Sequence, residues 1–110
     1  MPTFDEREKS FEAKFKHDQE LQFKATARRN KLLGLWAAGL MGLKGADAEA
    51  YAREVVAADF DKPGDSDVIE KVQRDLKARS IDRTEHQIRK QLEALTPVAR
   101  DEIMKELGKK

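Results

Sequence analysis

The chain has no cysteine among its 110 residues. That excludes a disulfide framework, a thiolate metal site and a cysteine nucleophile at once. Net charge is almost absent too, with 22 Lys and Arg against 21 Asp and Glu, although 39% of residues are charged. A balance this close leaves no one-sided basic surface for nucleic acid or anionic lipid. Long apolar runs are missing. The longest, from Leu32 to Leu43, is interrupted by Gly34, Gly39 and Gly42, far short of the ~20 residues that cross a bilayer. The N-terminus mixes acids and bases instead of placing basic before apolar residues, so it does not read as a secretory signal. One soluble, intracellular domain with a modest core is expected.

The few aromatics are unevenly placed. Three of the five phenylalanines, Phe4, Phe11 and Phe15, fall in the first eighteen residues. Their spacing puts them within about 40° of one another on an α-helix. Continued downstream, that stripe meets Asp18 and Gln22. The next apolar series (Leu21, Ala25, Leu32, Trp36, Leu43) lies roughly 60–80° further round the same cylinder. A straight helix cannot turn both stripes to one core, so the sequence divides into an amphipathic N-terminal arm, residues 1–18, and a helical body, residues 19–110; the alternative is a hinge near His17-Asp18 that folds the three rings back on the bundle. Alone, an arm of this length is too short to hold helix in water and would order on binding. Three buried rings contribute about 1.5–3 kcal/mol each, a thin margin once an ordering cost of about 2–5 kcal/mol and the further cost of association are set against them. Partners for Arg7, Glu8, Lys9 and Lys14, and a second contact from the body, are therefore expected.

Thr3 and Glu6 form a capping box that opens the first helix near Phe4. Acid-to-base pairs at Asp5/Lys9, Glu12/Lys16 and Glu20/Lys24 support it, and Lys44-Gly45 reads as its stop. A second helix is expected from Asp47 to about Phe60, burying Ala48, Tyr51, Ala52, Val55, Val56 and Phe60. Asp61-Lys62-Pro63-Gly64 is a turn. A third helix, capped by Asp65, Ser66 or Asp67, buries Val68, Ile69, Val72 and Leu76. After a connection at 79–83, Thr84-x-x-Gln87 is a second capping box. The last helix buries Ile88, Leu92, Leu95, Ala99, Ile103 and Leu107, with Pro97 either kinking it or opening a new one. No segment alternates with period two. The chain reads as all-α, an antiparallel four-helix bundle.

Few residues suggest chemistry. Neither His17 nor His86 has the carboxylate three residues earlier that a di-metal bundle requires, and no nucleophile has a base in reach. The series Gly39, Gly42, Lys44, Gly45 lacks Walker spacing; together with Ala37 and Ala38, the glycines are expected to admit a neighbouring helix. Trp36 reads as the central core residue. Lys24, Arg28 and Lys31 share a face, with Arg29 beside them, and could hold a phosphate or an acidic partner, or simply form a solvated rim.

Longer strings then resemble a known family. Phe4-Asp5-x-Arg7-Glu8, Glu12-Ala13-Lys14-Phe15, His17-Asp18 and Phe23-Lys24-Ala25 are similar to the zeta-subunit family, small alphaproteobacterial inhibitors of the F-type ATP synthase. So is the run from Ala27 to Ala38 (ARRNKLLGLWAA), and Tyr51 to Val56, Ala58-Asp59-Phe60 and Asp67-Val68 continue the match. The resemblance implies a four-helix bundle with a mobile N-terminal inhibitory segment. It implies no catalysis of its own: the segment enters a catalytic interface of the enzyme head, among the alpha, beta and gamma subunits, and blocks ATP hydrolysis. Carried over, the inhibitory positions are Phe4, Arg7, Glu8, Phe11, Lys14 and Phe15, with Asp18 near a hinge. The resemblance further implies a free monomer, a cytoplasmic location at the inner face of the membrane when bound, and no required cofactor. Weak ATP or ADP binding is implied for some members; Lys24, Arg28, Lys31 and Lys44 are the places to look for it here. The alternatives are a generic helical adaptor that docks its arm in another protein's groove, or a nucleotide-sensing bundle.

Overall fold

A computed structural model describes the backbone of residues 4–58 and 65–108, and side chains over residues 19–58 and 65–107. Four helices account for it: α1 (Phe4–Leu40), α2 (Ala46–Ala58), α3 (Ser66–Ala78) and α4 (Glu85–Gly108). No strand occurs among the described residues. α1 packs most extensively on α2 and α4, while α3 bridges α2 and α4 and touches α1 more lightly.

The helix ends follow from local chemistry. Thr84 and Gln87 form the expected reciprocal cap: the Thr84 N–H donates to Gln87 Oε1 (2.9 Å), and the Gln87 N–H donates to Thr84 Oγ1 (3.1 Å). α1 ends earlier than Lys44-Gly45 suggested. Leu43 N–H reaches back to the Ala38 carbonyl and Gly42 N–H to that of Gly39, with Gly42 at φ +81°. That is a Schellman closure, and Gly42 supplies its left-handed residue. α3 closes in the same way, through Ile81 N–H to Leu76 and Ser80 N–H to Lys77. Here a serine holds the left-handed position, at φ +62°. A side chain is strained in that conformation, so Ser80→Gly is expected to stabilise the fold by about 0.5–1 kcal/mol, read as a higher denaturation midpoint.

The core joins Leu33, Ala37, Ala38, Tyr51, Val55, Val68, Ile69, Val72, Leu76, Ile88 and Leu92. The four α3 residues expected inside are all buried, as are Ile88, Leu92, Ala99 and Ile103 of α4. Pro97 lies within a continuous α4, so it opens no new helix. Phe60 falls outside the described residues.

On α1 the buried face is not the expected one. The buried positions are Asn30, Leu33, Gly34, Ala37 and Ala38, a face turned roughly 150° from the Leu21–Trp36 series. Trp36 is a half-buried residue packed against the edge of the core, not its centre. The cause is close approach. A Cβ at Gly34 would lie 2.7 Å from Ala52 Cα and 3.2 Å from Val55 Cγ2, so α2 sits almost on the α1 backbone. Small residues occupy that contact and bulky ones are displaced to its rim. Gly39, expected to do the same job, meets nothing within 4 Å.

A second tie joins α2 to α3. The Tyr51 hydroxyl donates to Asp75 Oδ2 (2.9 Å), and Lys71 Nζ donates to the same oxygen (3.0 Å), with the ammonium 5.5 Å from the Tyr51 ring centroid. Burial pushes the phenol well above its ordinary pKa, and the hydrogen bond and charge of Asp75 push it further. An unfolded tyrosine ionises near 10. The contribution is therefore fully present below about pH 10 and is lost as pH rises further, when the unfolded chain ionises and the folded one does not. Tyr51 is the only tyrosine, so phenolate absorbance reports it directly. Ionisation is expected only together with alkaline unfolding, and Tyr51→Phe is expected to cost about 1.5 kcal/mol.

Candidate functional site

α1 has 37 residues against 24 in α4, about 55 Å of helix against about 36 Å at 1.5 Å per residue. Its backbone is helical through His17 and Asp18. The expected inhibitory side chains, those of Phe4, Arg7, Glu8, Phe11, Lys14 and Phe15, lie outside the described residues, as does that of His17. The described part of the candidate site is therefore the stretch of α1 just after the arm, residues 19–30, with the elements that grip it.

Two adjacent arginines do the gripping. Arg28 spans to α4, donating to Glu102 Oε1 (2.8 Å) and Glu106 Oε1 (2.5 Å). Its hydrogen bonds to those two carboxylates hold the guanidinium above the ordinary arginine pKa. Arg29 turns the other way: Nη2 donates to Asp65 Oδ1 (2.7 Å) at the start of α3, and both Nε and Nη2 donate to Asn30 Oδ1. Asp65 makes no side-chain cap on its own helix. Asn30 is fully buried and its Nδ2 has no hydrogen-bond partner, an expensive state for a donor.

Two clefts flank this stretch. One, of about 420 Å³, is lined by Gln19, Gln22, Phe23, Thr26, Ala27, Asn30 and Val56. The other, of about 490 Å³, lies between α1 and α4, where Leu21, Gln22, Ala25, Thr26 and Arg29 face Thr96 and Arg100.

The four cations expected near a phosphate do not converge. Lys24 pairs with Glu20 at 2.8 Å, an i,i+4 pair the sequence anticipated. Arg28 is committed to its two glutamates and is not a solvated rim residue. Lys31 and Lys44 are exposed, and Lys44 lies beyond the end of α1, whose last residue is about 24 Å along the axis from Lys24. The residues that do cluster, Arg29, Asn30 and Arg100, were missed as a group. The available signal was Asn30, a polar residue in phase with Leu33 and Ala37. Among the described residues no group of His, Asp or Glu could hold a metal.

The fold thus defines a class: a small all-helical protein whose first helix outruns its bundle and offers an exposed face where it leaves. A family model for "ATPase inhibitor subunit zeta" matches residues 1–102, and the chain belongs to that family. A protein whose solution NMR structure is known is 49% identical to it, over 78% of this chain and 98% of its own, and superposes with a TM-score of 0.70. No curated protein matches. None of the described helices is long and apolar enough to cross a membrane.

Proposed function

We propose that this inhibitor subunit blocks ATP hydrolysis by inserting the first part of α1 at a catalytic interface of the F-type ATP synthase head, among its alpha, beta and gamma subunits. Residues 1–18 are the working arm and residues 19–110 the body that carries it. Phe4, Phe11 and Phe15 enter the interface, and Arg7, Glu8 and Lys14 find charged partners at its rim. The reading rests on one observation above all, an α1 much longer than the helices available to cover it.

A wedge of this kind acts by differential affinity: it must bind the hydrolytic conformation of the interface better than the others. Rotation in the synthetic direction opens that interface and ejects the arm, so synthesis is spared. The body is a monomer when free and meets the enzyme on the cytoplasmic side. The test is ATP hydrolysis by the isolated enzyme head, with and without the full chain. Added protein is expected to suppress hydrolysis in proportion to occupancy; hydrolysis unchanged at saturating protein overturns the reading.

A further inference from the structure

Around residues 19–30 of α1, two donors stand without an acceptor among the described residues. Asn30 Nδ2 is buried without an acceptor, its Oδ1 already taken by Arg29. Arg100 is exposed in the cleft between α1 and α4 and forms no ion pair among the described residues. Gln22 and Thr26 line both clefts, which makes the two a single saddle across the α1 ridge. A surface with donors to spare is complemented by acceptors, namely carboxylates and carbonyl oxygens.

The saddle is also in line with the arm. By helical spacing, 4, 11, 15, 22 and 26 fall on one face of a continuous α1. A protein that receives the phenylalanine stripe therefore runs directly into the saddle. Phe23, 62% exposed and lining one cleft, adds apolar area where the two contacts meet.

We propose that this saddle is a second docking surface, taking an acidic segment of polypeptide on the ATPase head. A carboxylate engages Arg100 while Arg29 keeps its pairing with Asp65. A backbone or side-chain carbonyl from the same segment reaches Asn30 Nδ2 as the cleft wall opens. Inorganic phosphate could answer an arginine but offers no apolar surface to Phe23 and Val56. The inference deepens the inhibitory reading and rests on it for the identity of the partner.

Two measurements test it with the full chain. In the first, 15N-labelled protein is titrated with a hexaglutamate peptide, with hexaglutamine and phosphate as controls. The Arg100 Nε and Asn30 side-chain amide signals are expected to move with hexaglutamate alone, and the Asn30 signal to stop moving in Arg100→Glu. In the second, inhibition of the isolated enzyme head is compared between variants. Arg100→Glu is expected to raise the concentration for half-inhibition at least about tenfold and to flatten its salt dependence. Asn30→Asp, which still accepts from Arg29 but has no amide to donate, is expected to weaken inhibition while the chain keeps its cooperative melting. Unchanged inhibition in either variant, or phosphate alone reproducing the shifts, overturns the docking surface. A wild-type protein that fails to inhibit would instead overturn the arm reading, and the peptide titration keeps the two failures apart.

Discussion

A chain lacking residues 2–15 is expected to leave ATP hydrolysis by the enzyme head at its uninhibited rate, while keeping the cooperative melting of the bundle. The deleted stretch holds three phenylalanines, and burial of each contributes about 1.5–3 kcal/mol. Even the lower figure, multiplied over three rings, exceeds what weak surface contacts elsewhere could replace, since exposed ion pairs contribute about 0–1 kcal/mol. The core of the described residues begins at Leu33, outside the deletion. Within the full chain, Phe11→Ala is expected to cost about 2 kcal/mol of binding, or roughly thirtyfold in the concentration for half-inhibition. Helical circular dichroism per chain falls only by the deleted residues. Equal inhibition by the truncated and full chains would show that the blocking element lies in the bundle.

Gly34→Ala is expected to destabilise the bundle by about 1–3 kcal/mol, the usual cost of forcing a methyl group into a packed contact. The direction is informative because helix propensity points the other way, favouring alanine by about 1 kcal/mol in a helix interior. Packing wins here because the new Cβ would sit 2.7 Å from Ala52 Cα, a backbone atom that no rotamer change can move. Ala52→Gly in the same chain is therefore expected to recover little: it removes the 3.2 Å contact with Ala52 Cβ but leaves the shorter one. Gly39→Ala, five residues along the same helix with open space around it, is expected to stabilise by about 0.5–1 kcal/mol. Thermal or urea denaturation of the three variants checks the set. A stabilised Gly34→Ala would mean that α1 and α2 stand further apart than a 2.7 Å approach allows.

Much of the body was legible locally. The buried residues of α3 recur at three and four positions and are bulky and aliphatic, so period and hydrophobicity agree. The start of α4 is written in four consecutive residues, since Thr84 and Gln87 satisfy each other's backbone N–H without help from the rest of the protein. The Glu20–Lys24 pair is local in the same sense. The end of α1 was misjudged because two glycines compete for it. Gly42 and Gly45 both adopt positive φ, and only the reach of Leu43 N–H back to Ala38 selects the first.

The candidate site was less legible because its ties span long stretches of chain. Arg28 meets Glu102 and Glu106 more than seventy residues away, and Arg29 meets Asp65 at the start of α3. Nothing in the neighbourhood of either arginine distinguishes a cation bound to a distant helix from one in solvent. The empty donor on Asn30 is equally non-local, since it exists only because packing seals the residue away from water.

By itself, then, the sequence determined an all-helical chain, the segments that form its helices, a phenylalanine-bearing arm out of phase with the apolar series beyond it, and the resemblance that led to the inhibitor family. Only the tertiary structure decided which face of α1 is buried, which arginines are committed, and where unmatched donors gather. Hydrophobic periodicity reports where bulky apolar side chains recur, and on α1 that picked out Leu32 and Trp36. Burial is set by how closely a second helix can approach, and there the missing side chain of Gly34 counted for more than the large ones beside it.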